Sequence, residues 1–210
     1  MDLLVATRSL DKMVEIRRLL GAVSGLRLID LDSAGIAKDP AEEELEPYET
    51  FEENARSKAE YFHAKSGIPT VADDSGLVVD ALGGAPGVRS KRFAPDRGLQ
   101  GKELDHANND HLMAQLGDLD LDLAMRTGRY VCAAVLVGVT EAPLVVRGEA
   151  EGLIGGQPRG AGGFGYDPYF FDPKIAKTFA ELDVEQKNER SHRGKAFRAL
   201  ADELIAQRMQ

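Results

Sequence analysis

Gly128-Arg129-Tyr130-Val131-Cys132-Ala133-Ala134-Val135-Leu136-Val137-Gly138-Val139, then Thr140-Glu141-Ala142-Pro143, then Leu144-Val145-Val146-Arg147-Gly148-Glu149-Ala150-Glu151-Gly152 is the stretch on which the fold turns. Two long strand-like runs are separated by a few turn-forming residues. That connection is too short for the crossover that parallel strands need, so the pair reads as antiparallel. Upstream the pattern is different. Residues 2–7 read as a buried strand, 10–20 as a helix with Met13, Ile16, Leu19 and Leu20 on one face, and 26–31 as a second strand. Alternating strands and helices followed by a β-rich half predict an α/β protein with a mixed sheet, not a fully parallel one.

Working outward, residues 32–49 are acidic and predicted irregular. Thr50-Phe51-Glu52-Glu53 has the pattern of a capping box, and Phe51, Ala55, Ala59 and Phe62 continue it as a helical stripe that Gly67-Ile68-Pro69 ends. Strand character returns over 69–82, interrupted by Asp73-Asp74-Ser75-Gly76, and a loop over 83–98 leads to a helix at 101–116. The last helix is expected from Ser191 to Met209, with Phe197, Leu200, Ala201, Leu204 and Ile205 on one face. No linker divides the chain, which reads as one domain over residues 1–210.

Composition narrows the function. The 210 residues are 43% hydrophobic and 29% charged, ordinary for a soluble globular protein. The net charge of −9 speaks against a nucleic-acid polymer as partner, because backbone phosphates need a basic surface. A small phosphorylated ligand needs only a local cluster of cations or a metal. No apolar run is long enough to cross a bilayer, and the first residues lack the pattern of a signal peptide. The single cysteine, Cys132, excludes an intrachain disulfide and sits in an apolar run, consistent with a reducing, cytoplasmic setting.

Five segments can carry chemistry. Thr7-Arg8-Ser9-Leu10-Asp11-Lys12 joins a strand to a helix N-terminus, a natural phosphate site, although Ser9 as a plain N-cap explains it as well. Asp73 and Asp74 interrupt an apolar run. Adjacent strand residues face opposite ways, so one carboxylate can hold Mg²⁺ while the other braces the structure; a β-turn is the competing reading. Most of Glu42-Glu43-Glu44-Leu45-Glu46 is expected to be solvated, but a single member suffices for Mg²⁺ beside substrate phosphates. Ser191-His192-Arg193 starts a helix with cations, against its dipole, which suggests that they face something anionic or electron-rich. Gly160-Ala161-Gly162-Gly163-Phe164-Gly165-Tyr166-Asp167-Pro168 has the composition of a loop that grips a flat polar ligand such as a base. His63, His106 and His111 show no metal-ligand spacing, so zinc is not expected.

Taken in order, these segments resemble the Ham1-like inosine/xanthosine triphosphate pyrophosphatases over nearly the whole chain. The matching motifs are Ala72-Asp73-Asp74-Ser75-Gly76-Leu77, Gly83-Gly84-Ala85-Pro86-Gly87-Val88, Gly162-Gly163-Phe164-Gly165-Tyr166-Asp167-Pro168 and Ser191-His192-Arg193-Gly194. The resemblance implies a two-lobed α/β structure around a long mixed sheet with flanking helices, a cleft between the lobes, relatedness to the Maf-like fold, and a homodimer. It implies Mg²⁺-dependent hydrolysis of non-canonical purine nucleoside triphosphates to monophosphate and pyrophosphate. Carried over by motif, Thr7, Arg8, Ser9, Lys12 and Lys58 meet the phosphates, Glu46 and Asp74 hold the metal, Asp74 is the catalytic carboxylate, and Ser75 and Arg92 touch substrate. Phe164, Gly165, Tyr166 and Asp167 frame the base, and Lys187, His192 and Arg193 complete its pocket. The chain departs from the family in having Thr7-Arg8-Ser9 where Thr-Gly-Asn is common, and Arg89-Ser90-Lys91-Arg92 where Tyr-Ser-Ala-Arg is usual. A Maf-like pyrophosphatase with another base preference, or a non-catalytic nucleotide sensor, are the competing readings.

Overall fold

The computed structural model describes residues 1–95, 97–119 and 121–208. Strand β1 (Asp2–Val5), helix α1 (Leu10–Leu20) and strand β2 (Arg27–Asp30) come first, followed by helix α2 (Phe51–Ser66) and strand β3 (Thr70–Val79). Helix α3 (Gly101–Gly117) precedes strands β4 (Thr127–Val137) and β5 (Leu144–Ile154). Two short strands, β6 (Phe170–Asp172) and β7 (Lys177–Thr178), and two helices, α4 (Val184–Arg190) and α5 (His192–Arg208), complete the described chain. The strands form one sheet in the order β2-β1-β3-β4-β5-β6-β7. Strand β1 is parallel to β2 and β3, whereas β6 is antiparallel to β5 and β7. The sheet is therefore mixed, as the sequence predicts.

By its internal contacts the chain divides into two compact units, where the sequence shows no linker. The first comprises residues 1–75, 132–148 and 191–210; the second comprises 76–131 and 149–190. No linker appears because the chain passes between them inside β3, β4 and β5 and, once more, directly from α4 to α5 at Arg190–Ser191.

In the first unit, strand alternation sorts the core. Leu3, Val5, Val71, Cys132, Ala134 and Leu136 cluster with Met13, Ile16 and Leu20 of α1 and Phe197, Leu200 and Leu204 of α5. Their neighbours Leu4, Ala6, Ala72, Val135 and Val137 cluster instead with Ala55, Ala59 and Phe62 of α2. Ile205 was expected on the buried stripe of α5 but is 46% exposed. Eight residues after Phe197 a helix has drifted by roughly 80°, and Leu204 takes the inward position. The expected end of that helix, Met209, lies outside the described residues.

The caps follow the sequence reading. Ser9 accepts from the Lys12 N–H, Thr50 accepts from the Glu53 N–H, and Gly67 closes α2 in the left-handed region at φ 66°. The acidic segment is less irregular than expected, since residues 40–44 form a 3₁₀ turn capped by Asp39.

The second unit has its own core, built from Leu77 and Val79 of β3, Leu112 and Leu116 of α3, Tyr130, Ile154, Tyr166, Phe170 and Phe179. The segment read as loop, 83–98, contains a 3₁₀ turn at Gly87–Arg92. Residues 80–82, read as strand, form another 3₁₀ turn.

Candidate active site

Strand β3 runs without a break through Asp73, Asp74 and Ser75, so the β-turn reading of this segment is wrong. The strand tolerates two buried carboxylates because each finds partners on its own face. Asp73 shares the face of Val71, where Lys12 of α1 reaches its Oδ2 at 3.1 Å. Arg193 of α5 donates to the same oxygen through Nε at 3.3 Å and Nη2 at 3.2 Å. Burial acts to raise the Asp73 carboxyl, but Lys12, Arg193 and Lys58 outweigh it and hold it well below the usual carboxylate range. Arg193, 1% exposed, also donates to Glu15 Oε2 at 2.6 Å and to Ser75 Oγ at 2.7 Å. The anion that the cationic start of α5 suggested is thus internal: Asp73 and Glu15.

Asp74 shares the other face of β3, beside α2. Its Oδ2 accepts from Asn54 Nδ2 at 3.1 Å, and its Oδ1 accepts from the Ser75 N–H at 3.0 Å and lies 3.9 Å from Lys58 Nζ. Asn54 is itself fixed, because its side-chain amide exchanges two hydrogen bonds with the Tyr48 backbone, at 2.9 and 3.1 Å. Burial pushes the Asp74 carboxyl up, against the downward pull of Lys58 and Lys12. The Lys58 ammonium bonds to Glu46 Oε1 and donates to the Asp73 carbonyl at 2.7 Å. Burial works to lower the Lys58 pKa, but Glu46, Asp74 and Asp73 raise it, so the amine stays charged.

The remaining residues of the first loop are placed as follows. Thr7 Oγ1 accepts from the Ser9 N–H at 3.1 Å, which tightens the turn into α1. The Arg8 guanidinium turns to the acidic segment, donating to Glu42 at 2.8 and 3.0 Å, to Asp32 at 3.4 Å and to the Ile36 carbonyl at 3.0 Å. This arginine ties down residues 32–42 of the same unit, a role its sequence position did not suggest.

The glycine loop lies in the second unit. Asp167, 2% exposed, accepts from the Phe164 N–H at 2.9 Å and from Lys187 Nζ at 2.6 Å. The same ammonium stands 4.6 Å from the centre of the Phe164 ring, a cation–π distance. Tyr166 frames the loop from behind. It is buried, belongs to the core of its unit and donates its hydroxyl to the Ser90 carbonyl at 2.7 Å. Gly165 adopts φ +62°, and Arg92 lies exposed at the end of its 3₁₀ turn. His192 is buried at the start of α5, just after Ser191, which caps the Gly194 N–H at 3.0 Å.

Four residues that matter here were missed by the sequence reading: Glu15, Asn54, Asn108 and Asn109. The asparagines carried a signal, since Asn is a poor helix-interior residue unless its amide serves another backbone. Asn108 does so, accepting from the Phe93 and Ala94 N–H groups at 3.1 and 2.8 Å.

The sequence profile of the Ham1 family matches residues 3–203. The chain belongs to the Ham1 family. It is 46% identical over 207 residues to a dITP/XTP pyrophosphatase of Nocardia farcinica, covering 97% of this chain and 94% of the relative. It is 44% identical to a dITP/XTP pyrophosphatase of Frankia alni, with 96% of each chain covered. Among solved structures, a HAM1 protein from Coxiella burnetii superposes with a TM-score of 0.84 at 33% identity, covering 98% of this chain and 99% of the other. The α/β fold with a mixed seven-stranded sheet is accordingly the Ham1 fold.

Proposed function

We propose that the chain hydrolyses non-canonical purine nucleoside triphosphates, those of inosine and xanthosine and their deoxy forms, to the monophosphate and pyrophosphate. The observation that carries the reading is the cluster of Asp74, Glu46, Lys58 and Lys12, in a chain whose relatives bear the name dITP/XTP pyrophosphatase.

Asp74 is the group that takes the proton from the attacking water. Its carboxylate is held by Asn54 and the Ser75 N–H, and burial raises its pKa toward a useful basicity. Lys12 and Lys58, with Thr7 and Ser9, bind the triphosphate, offsetting its charge in a chain of net charge −9. Glu46 and Asp74 suit Mg²⁺. They are hard oxygen donors that already share a single cation, the Lys58 ammonium. Among the described residues no group of three or more His, Cys, Asp or Glu side chains is arranged to hold a metal ion, and one or two carboxylates with substrate phosphates are what Mg²⁺ commonly takes. When bound, Mg²⁺ supplies positive charge that stabilises negative charge on the phosphate oxygens.

Phe164, Gly165 and Asp167 with Lys187 receive the base. A 6-oxo purine presents an acceptor where adenine presents an amino donor. The Lys187 ammonium can only donate, so the amino group of adenine would face a donor, a mismatch that can discriminate by ~10⁴. We also infer a cytoplasmic homodimer, in line with the sequence resemblance. No described helix is long and apolar enough to cross a membrane.

The test is pyrophosphate release from a panel of nucleoside triphosphates with Mg²⁺, for the wild type and Asp74→Asn. Inosine and xanthosine triphosphates should turn over well ahead of ATP, and Asp74→Asn should lose ~10²–10⁴-fold, the usual worth of a general base. A folded Asp74→Asn with near wild-type turnover, or a wild type that prefers ATP, refutes the reading.

A further inference from the structure

The backbone of Gly165 is gripped from both sides by one face of α3. Asp105 Oδ2 accepts the Gly165 N–H at 2.9 Å, and Asn109 Nδ2 donates to the Gly165 carbonyl at 2.9 Å. Residues four apart lie on one face of a helix, so these two side chains act as a pair. The second hydrogen of the Asn109 amide goes to the Asp105 carbonyl at 2.9 Å, which locks the amide in place. Asn109 is 5% exposed.

The effect converges on Phe164. Its own N–H is held by Asp167, and the next N–H along the chain, that of Gly165, is held by Asp105. With both flanking peptide groups pinned, the direction in which the Phe164 side chain leaves the backbone is set. Its ring then carries the Lys187 ammonium at 4.6 Å. Neither Asp105 nor Asn109 belongs to the motifs that identify the base-binding loop, and neither has to touch a ligand to act.

We propose that Asp105 and Asn109 are positioning residues for base recognition: they clamp Gly165 in its left-handed conformation and so present Phe164 in the orientation a stacked base requires. This rests on the pyrophosphatase reading above. A loop organised in advance binds without the ordering cost that a loose one incurs, so the clamp acts on substrate affinity. The carboxylate chemistry belongs to Asp74, so turnover at saturation should change little.

The experiment compares the wild type, Asp105→Ala and Asp105→Asn on inosine triphosphate with Mg²⁺ and follows hydrogen exchange at the Gly165 amide in each. Asp105 is half-buried and alanine favours helix, so the truncation keeps the fold. Asn retains a carbonyl oxygen for the Gly165 N–H, whereas Ala has none. In Asp105→Ala, KM should rise roughly tenfold with kcat within about threefold, and Gly165 exchange should accelerate at least about tenfold, the worth of a lost charge-assisted hydrogen bond. Asp105→Asn should restore both. Wild-type KM and exchange in Asp105→Ala, a loss confined to kcat, or failure of Asn to restore what Ala loses overturns the clamp. Wild-type turnover is a separate arm. If the wild type releases no pyrophosphate, the nucleotide reading fails, while the amide exchange still decides whether the clamp exists.

Discussion

Replacing Asp73 by Asn removes one oxygen's charge from beneath two cations. Asp73 is 2% exposed, and its Oδ2 receives Lys12 at 3.1 Å and two donors of Arg193 at 3.2 and 3.3 Å. Breaking one side of a buried ion pair costs about 3–5 kcal/mol. Three details place this case within that range. Arg193 keeps Glu15 and Ser75, and the Lys12 side chain is 19% exposed and can turn to water, which lowers the cost. The Asn carbonyl can still accept from the cations, but its amide then occupies the position of Oδ1, which has no hydrogen-bond partner among the described residues. A buried unsatisfied donor adds about 1–3 kcal/mol. The net expectation is a loss of about 4 kcal/mol, read from urea unfolding, with Tm falling by roughly 8–16 °C for a chain of this size. Asp32→Asn is the control. It breaks the contact of Arg8 with a carboxylate that is 95% exposed, and should cost under about 0.5 kcal/mol. If Asp73→Asn loses less than about 1 kcal/mol, or Asp32→Asn loses as much as Asp73→Asn, the argument from burial is refuted.

Two further outcomes test other parts of the structure. Gly163→Ala should destabilise by about 2–3 kcal/mol in urea unfolding, because φ is +70° there and a Cβ would meet Asp167 Oδ2 at 2.1 Å; stability within about 0.5 kcal/mol of wild type would contradict the loop geometry. Asp39 bonds to Lys65, the Ala41 N–H and Tyr61, which lower its carboxyl from 3.8 to about 2. A depressed folded-state pKa stabilises above the unfolded value and is lost as pH falls, so this contribution fades between pH 4 and 2. In acid titrations followed by circular dichroism, Asp39→Asn should show a shallower loss of stability across that window, and an unchanged slope would remove Asp39 as a contributor.

Much of the fold could be read locally. The helices α1 and α2 announce themselves through spacing and through Ser9 and Thr50 as caps, because those signals depend on residues within one or two turns. The adjacency of β4 and β5 in the sheet follows from the shortness of their connection. Strands β6 and β7 were missed, since runs of three and two residues hold too little periodicity to be seen. The short helix α4, which carries Lys187 to Asp167, was missed for the same reason.

For the site, the sequence by itself determined the inventory: two adjacent carboxylates on an apolar strand, a cationic helix start, a glycine-rich loop with one aromatic, and the motif order that marks the Ham1 family. It also determined that Asp73 and Asp74 face opposite ways, because a strand's pleat is a local property. Only the tertiary structure decided who meets whom. Arg193 lies 120 residues from Asp73 and 178 from Glu15, yet holds both, and Gly165 is gripped by side chains 60 and 56 residues upstream. Long-range pairings of this kind have no local signature, since they depend on how strands and helices from distant parts of the chain come to lie together. That is why the carboxylates could be named in advance, while their partners, Lys12 and Arg193 at Asp73 and Asn54 and Lys58 beside Asp74, appeared only once the chain was folded.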